Sequence, residues 1–403
     1  MAHVLGYHAS RDFVPLYAVY ALLFADRGIG AAQISVLFLV WSLTGFVCEV
    51  PSGAWADTYD RRRLLVVSAA VYAVGFSLWM LWQTFTGFAL GFVCWGLSSA
   101  LVSGTFESLV YDELVERGER GDYPRLIGWA QSTAMLANLA ATASAALLLH
   151  VDGYRAVGWV SVGFAGVQGL LAATLPVSQR ARHAADPVEA GEAASRYLRM
   201  LRAGLAESRR HPDVRRVLLL ASAMVGLTAY DEYFPLVARA HHVETTVVPV
   251  LVAVTVTGQA VGTALTGRSA RLRAGAVGAL LGAGAVLVSV GALVTPYAGF
   301  VAIGVGYGML NNAMLVGETR LQDAITGPAR ATVTSVLGLL EEVVALSVYA
   351  AFALGSHLLG FPALVALLGV PTAIVALAVA RWLPARDDVV GVVGDSSAGV
   401  SQF

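Results

Sequence analysis

The chain reads as an all-α membrane protein with twelve transmembrane helices in two six-helix pseudo-repeats. Three observations carry that expectation. Of 403 residues, 57% are hydrophobic and 13% charged, with mean hydropathy +0.69, against about 25% charged in an ordinary soluble domain. Continuous apolar runs long enough to cross a core of about 30 Å recur along the whole chain. The cationic residues, all of them Arg, alternate sides.

Twelve segments qualify as spans: 7–25, 32–56, 64–83, 88–111, 126–149, 155–176, 216–238, 247–267, 274–295, 298–319, 331–354 and 361–383. Helices are required because a backbone in lipid must satisfy its own hydrogen bonds. A barrel would show short alternating segments instead. Counting Arg11 with the amino-terminal tail, the tails and the loops after even-numbered spans carry 23 of the 26 arginines. The opposite loops carry only Arg27, Arg155 and Arg239. By the positive-inside rule both termini are expected in the cytoplasm, with the chain multi-pass in the plasma (inner) membrane.

The longest connection separates the two halves. Residues 1–176 form the first six-helix half and 216–383 the second. Residues 177–215 form a cytoplasmic linker, and 384–403 a Gly/Ser/Val-rich tail expected to be disordered. In the linker, Leu198, Leu201 and Leu205 lie along one stripe among Arg196, Arg199, Arg202, Arg209 and Arg210. That pattern predicts an amphipathic helix on the inner membrane surface.

Several function classes find no support. Cys48 and Cys94 lie inside apolar segments, as small hydrophobes do. No two histidines share a span at ligand spacing, and neither H-E-x-x-H nor G-x-S-x-G occurs. No enzyme activity, metal, cofactor or nucleic-acid partner is expected. The amino terminus lacks a basic n-region and an A-x-A-like site, so the first segment is read as a retained helix.

The loop after span 2 reads Glu49-Val-Pro-Ser-Gly-Ala-Trp-Ala-Asp-Thr-Tyr-Asp-Arg-Arg-Arg63. Its Gly53, Asp57, Arg61 and Arg62 match G-x-x-x-D-x-x-x-R-[RK]. A degenerate copy, Gly262 to Arg273, follows span 8, with Thr266 in place of the aspartate. Ser103-Gly-Thr-Phe-Glu-Ser-Leu-Val-Tyr-Asp-Glu-Leu114 ends span 4, and Arg330-Ala-Thr-Val-Thr-Ser335 opens span 11. In a 6+6 topology these motifs resemble the major facilitator superfamily, in the branch with E-x-P-[ST]-G-x-x-A-D. The resemblance covers nearly the whole chain. It departs at Asp60, where the family has glycine, and at Thr58, where it has a basic residue.

The resemblance implies a gate. Gly53 lets another helix approach closely, and Asp57, just past span 2, faces the amino terminus of span 11, whose dipole favours a carboxylate. Arg61 or Arg62 then pairs with Asp112 or Glu113. The alternative is that these charges only set topology.

Acids within spans are costly unless paired or wet. Glu341 and Glu342 fall near the midplane of span 11 and, being adjacent, point about 100° apart. The polar company of Ser335, Gly338 and Tyr349 favours Glu342. Asp231 and Glu232 sit in Tyr230-Asp-Glu-Tyr-Phe-Pro235, which suits either a cationic substrate or an aromatic belt. Asp12 follows Arg11 and stands four residues after His8. Local pairing near the inner face is expected there, with proton carriage the alternative. Glu341, Glu342, Asp231 and Asp12 are thus the proton-coupling candidates. Glu232, Tyr230, Glu107, Asn311, Glu318 and Glu49 are the substrate-cavity candidates, Glu107 on one face with Ser103 and Tyr111.

The functional expectation is a monomeric, proton-coupled secondary transporter that exports a small amphipathic organic molecule by alternating access within the lipid bilayer. Import or uniport on the same fold is the alternative, and a non-transporting sensor the alternative from another class. Span 5 lacks the G-P-x-x-G-G motif of the family's drug/proton antiporters.

Overall fold

The computed structural model describes residues 2–176, 212–324 and 330–383, with positions 195, 199 and 202 of the linker. The expected linker helix otherwise lies outside the described residues, as does the tail. Among the described residues every regular element is helical.

Span 1 is not one helix. It consists of α1 (Ala2–Asp12), a 3-10 turn (Pro15–Ala18) and α2 (Tyr20–Asp26). Pro15 has no N–H and disfavours helix at the residue before it, and Val14 is accordingly extended. The buried hydroxyl of Ser161 accepts the freed N–H of Leu16 at 3.1 Å, so the break is satisfied inside the protein.

Span 2 is α3 (Ala31–Thr58), which carries Pro51 inside it, and span 3 is α4 (Arg61–Leu81). Asp60 caps α4, its carboxylate accepting from the N–H of Arg63 at 3.0 Å. The residue that departs from the family's glycine therefore starts the next helix. Span 4 is α5 (Phe85–Val102) and α6 (Thr105–Glu116), interrupted at Ser103 and Gly104. Gly104 has φ +69°, where a side chain is strained, although a Cβ there would touch nothing within 4 Å among the described residues. Gly104→Ala is expected to cost about 1–2 kcal/mol through the backbone alone, read as a lowered thermal midpoint of the purified protein. The interruption also takes Ser103 off the face expected to join it to Glu107 and Tyr111.

Helix α7 (Tyr123–Thr174) is spans 5 and 6 joined by a turn at Asp152 and Gly153, the latter at φ +56°. In the second half, span 7 repeats the design of span 1. It comprises α8 (Pro212–Gly226), a 3-10 stretch (Leu227–Tyr233) and α9 (Phe234–Ala240). Broken helices in corresponding positions are what repeated transporter halves show. Spans 8 to 11 are α10 (Val248–Ser269), α11 (Ala274–Leu293), α12 (Pro296–Ala324) and α13 (Arg330–Gly355). Span 12 is α14 (Phe361–Leu367) and α15 (Gly369–Trp382).

Nine helices among the described residues are long and apolar enough to cross a membrane. Dividing α7 and adding the broken spans 1 and 7 agrees with twelve crossings. Large apolar side chains such as Leu136, Leu147, Leu170, Ile374 and Leu377 are 62–72% exposed, the surface expected of a protein that faces lipid.

The contacts divide the chain into two compact units. One holds Met1–Leu198, Glu232–Ala253 and Tyr349–Leu358, and the other Arg199–Asp231, Val254–Val348 and Leu359–Phe403. In the first unit α4 packs on α5 and α7, α1 on α7, and α3 on α5. In the second, α11 packs on α12, α14 and α15. Spans 8 and 10 approach backbone to backbone. A Cβ at Gly258 would fall on the carbonyl of Gly304, and one at Gly262 on that of Gly308. Such small-residue seams hold helices together in lipid, where no hydrophobic drive exists between them.

Candidate substrate and coupling sites

In the first unit, a polar cluster gathers at the break in span 1. Because α1 starts at Ala2, Arg11 and Asp12 fall near the middle of the Ala2–Asp26 span rather than near its inner end. That corrects two expectations. Arg11 belongs to the span and not to the cytoplasmic tail, which leaves 22 arginines against three. The expected local pairing of Asp12 is also not made. The Asp12 carboxyl has no hydrogen bond or ion pair among the described residues, and the Nδ1 of His8 is buried without a partner among them. Arg11 and Asp12 feel each other electrostatically without closing an ion pair.

The groups around this pair are mainly phenols. Arg11 lies beside the Tyr7 hydroxyl, which Gln168 also approaches at 3.3 Å. The hydroxyls of Tyr17 and Tyr72 bond to each other, both within electrostatic reach of Arg11 and Asp12. Tyr17 stacks on Trp95 at 4.9 Å, and Trp95 lies against Trp41 at 4.9 Å. A lone charge at the centre of a bilayer costs about 2.5–3.5 kcal/mol on insertion scales. This cluster therefore retains a charged group at a real energetic cost. The sequence signal for it was Pro15, which predicts the break and hence the depth of Arg11.

At the end of the first unit away from the amino terminus, contacts draw several spans together. Tyr20 donates to Glu232. Tyr233 donates to Ser35 at 2.9 Å and stacks on Phe352 at 3.9 Å, while Phe38 meets Tyr349 at 5.6 Å. Asp26 pairs with Arg239 and accepts from Tyr154 at 2.6 Å. The ion pair is half-exposed and contributes about 0.2–1 kcal/mol. Arg239→Ala is thus expected to raise the labelling rate of a cysteine introduced at this end by up to about fivefold. No change in labelling would show that the layer is held by the aromatic contacts alone.

In the second unit, Asp231 accepts from the hydroxyl of Tyr307 at 2.6 Å, and Tyr230 lies edge-on to Tyr307 at 6.4 Å. The adjacent acids of span 7 thus serve different units, Asp231 this one and Glu232 the first. Glu341 and Glu318 are brought within electrostatic reach, with Glu342 beside them. Neither the Glu341 nor the Glu318 carboxyl has a hydrogen bond or ion pair among the described residues. Asn311 does not present its amide to open space. It is 6% exposed and donates to the carbonyl of Gln259 and to Thr263 Oγ1, at 3.2 and 2.9 Å, tying span 10 to span 8. Asn312 adds a bond to the Gly262 carbonyl at 2.8 Å. An apolar pocket lined by Met224, Tyr230, Leu310 and Thr372 lies in the same unit.

The loop motif resolves in part. Helix α3 runs to Thr58, so Asp57 lies in its last turn rather than just past it; its side chain lies outside what is described. Arg61 pairs with Asp112, whereas Glu113 pairs with Arg117 one turn along at 2.5 Å. Arg62 makes no ion pair among the described residues. A Cβ at Gly53 would meet nothing within 4 Å among them. Glu49 and Glu107 are exposed, Glu107 within reach of Tyr7 and Tyr123. The sequence reading missed Arg320. Only 7% exposed, it donates to the carbonyls of Ala270 and Leu272 in the loop after span 8. Span 10 thereby grips that loop through an arginine on backbone carbonyls, where Asp112 of span 4 grips Arg61 after span 2. The signal was an arginine at the very end of an apolar segment.

Comparison with known proteins agrees with this architecture. No curated protein sequence is significantly similar to the chain. The solved structure of a mutant of nucleoside transporter NupG superposes with TM-score 0.73 at 10% identity, covering 95% of this chain and 98% of that one. The POT family transporter PepTSo gives 0.70 at 12% identity, covering 94% and 97%. A D-xylose-proton symporter gives 0.69 at 15% identity, covering 95% and 96%. At such identities the likeness shows the fold alone. The sequence itself matches the Major Facilitator Superfamily over residues 7–322. With that sequence match and an all-helical fold consistent with twelve spans, the chain belongs to the major facilitator superfamily.

Proposed function

We propose that this protein is a proton-coupled secondary transporter that exports a small amphipathic organic molecule across the plasma membrane, with both termini cytoplasmic. Its family membership makes it a transporter rather than an enzyme. The observation that supports proton coupling is the Glu318–Glu341 juxtaposition, two carboxyls of spans 10 and 11 within electrostatic reach of each other. Like charges that share a dry site are relieved when one takes up a proton, and a change in hydration during alternating access then releases it. This arrangement favours Glu341 over Glu342 as the coupling residue. Asp231 and Asp12 are the further candidates, Asp231 already engaged by Tyr307.

Under this reading the Arg61–Asp112 pair, with Asp57, latches the cytoplasmic side, and the layer of Asp26, Arg239 and Tyr154 latches the opposite side. Uptake or uniport is the second reading, favoured by the missing span-5 antiporter motif.

Everted vesicles with an acidic lumen decide between them. Export coupled to protons predicts accumulation of substrate that collapses with the pH gradient. Accumulation only in right-side-out vesicles would establish uptake, and flux indifferent to the gradient would remove the proton.

A further inference from the structure

We propose that Arg11 is the recognition group for an oxyanion on the transported molecule, so that the substrate is an amphipathic organic anion, a carboxylate or a phosphate ester. This inference rests on the transporter reading above and names the substrate class of that same protein. It stands on the juxtaposition of a guanidinium that closes no ion pair among the described residues, a helix break and an aromatic wall.

The guanidinium has no carboxylate partner within an ion-pair distance among the described residues. The adjacent Asp12 feels it electrostatically without closing an ion pair. Glu107 approaches Tyr7, and Glu232 is engaged by Tyr20. What surrounds Arg11 instead is a set of neutral hydroxyls, those of Tyr7, Tyr17 and Tyr72. A phenol hydroxyl can donate to an oxyanion but cannot neutralise an arginine, so the cluster offers hydrogen-bond donors around a guanidinium that no carboxylate among the described residues closes into an ion pair. Arginine's planar fork suits a carboxylate or phosphate bidentately.

The site is also accessible. Arg11 and Asp12 are only partly buried, whereas Tyr7 on the same helix and Ser161 and Gln168 on α7 are fully buried. Tyr17, Trp95 and Trp41 form a continuous aromatic surface next to the charge, which fits the apolar body of an amphipathic anion. The titratable groups coupled to this pair are His8 and Tyr7 on its own helix, with Tyr17 and Tyr72, Tyr17 in turn sensing Glu232.

Thermal stabilisation of the purified full-length protein, with charge-matched triplets as probes, tests this. Each triplet puts a carboxylate, an amide and an amine on one aromatic skeleton, 3-phenylpropionate with its amide and amine being one set; phenyl phosphate joins the panel. The expected result is a raised midpoint with carboxylates or the phosphate ester and none with amides or amines. Arg11→Gln should abolish that shift while keeping a monodisperse, helical protein. Arg11→Lys, which keeps the charge and loses the fork, should retain binding at roughly tenfold lower affinity. Hits confined to amines or amides overturn the proposal, as does anion binding that persists in Arg11→Gln, or no response to any anion at millimolar concentration. If Arg11→Gln does not fold, loss of fork-dependent affinity in Arg11→Lys decides alone. Proteoliposome flux separates the two readings: Arg11-dependent binding without flux sinks transport and keeps the subsite. Flux of a cationic or neutral compound indifferent to Arg11 does the reverse.

Discussion

Glu341→Gln is expected to abolish gradient-driven accumulation while leaving substrate binding intact. One pH unit is worth 1.36 kcal/mol, so exchanging one proton per substrate sustains up to about tenfold accumulation for each unit imposed. In Glu341→Gln that ratio should fall to about one, with exchange of bound substrate continuing. The reason is geometric. Glu341 has Glu318 within electrostatic reach and no hydrogen-bond partner for its carboxyl among the described residues, so removing its charge removes the group whose proton occupancy changes between the two access states. Glu342→Gln should keep the accumulation. The reverse pattern, coupling lost in Glu342→Gln and kept in Glu341→Gln, would reassign the role to the residue that the polar face of span 11 first suggested.

Gly258→Leu is expected to be the most damaging single substitution for folding. A Cβ at Gly258 already falls on the Gly304 carbonyl, so a larger side chain must part spans 8 and 10. Parting them also pulls apart the bonds from Asn311 and Asn312 to span 8. Overpacking costs about 1–3 kcal/mol where side chains can yield, and more where the obstacle is backbone. The measurement is the yield of monodisperse protein and its thermal midpoint, both expected to drop sharply. Gly338→Ala is the control. A Cβ at Gly338 meets nothing within 4 Å among the described residues, so that change should be neutral or stabilise by about 0.5–1 kcal/mol. Equal losses in both would mean that the seam does not hold the fold.

Particular residues show what could be read ahead of the structure. The Arg61–Asp112 pairing was within reach because loop and span-4 motifs are local strings with charges at recognisable offsets. Helix α4 starting behind Asp60 was also available, since an aspartate before an apolar run is a capping signal. The break in span 1 was signalled by Pro15, yet hydropathy sums over a window and passes across such a break. For the same reason the interruption at Gly104 was invisible: nothing in a glycine tells which one adopts a positive φ. Asn311 was expected in a cavity on the strength of sharing a face with Glu318. Its partners, Gln259 and Thr263, lie about fifty residues away in the chain, and no spacing rule connects them.

The sequence by itself determined the solvent, the crossings and the family. Those depend on sums of transfer free energy over about 20 residues and on short motifs, both of which are properties of contiguous chain. The tertiary structure alone decided which charges have partners. Arg11 and Asp12 are adjacent yet unpaired, Glu341 faces Glu318 from another span, and Asp231 and Glu232 turn to different units. Pairing falls off within a few ångströms, so it is set by how helices distant in sequence pack. The opening motif marks the family, but the chemistry proposed for transport rests on Arg11 and Glu341, whose surroundings come from other spans.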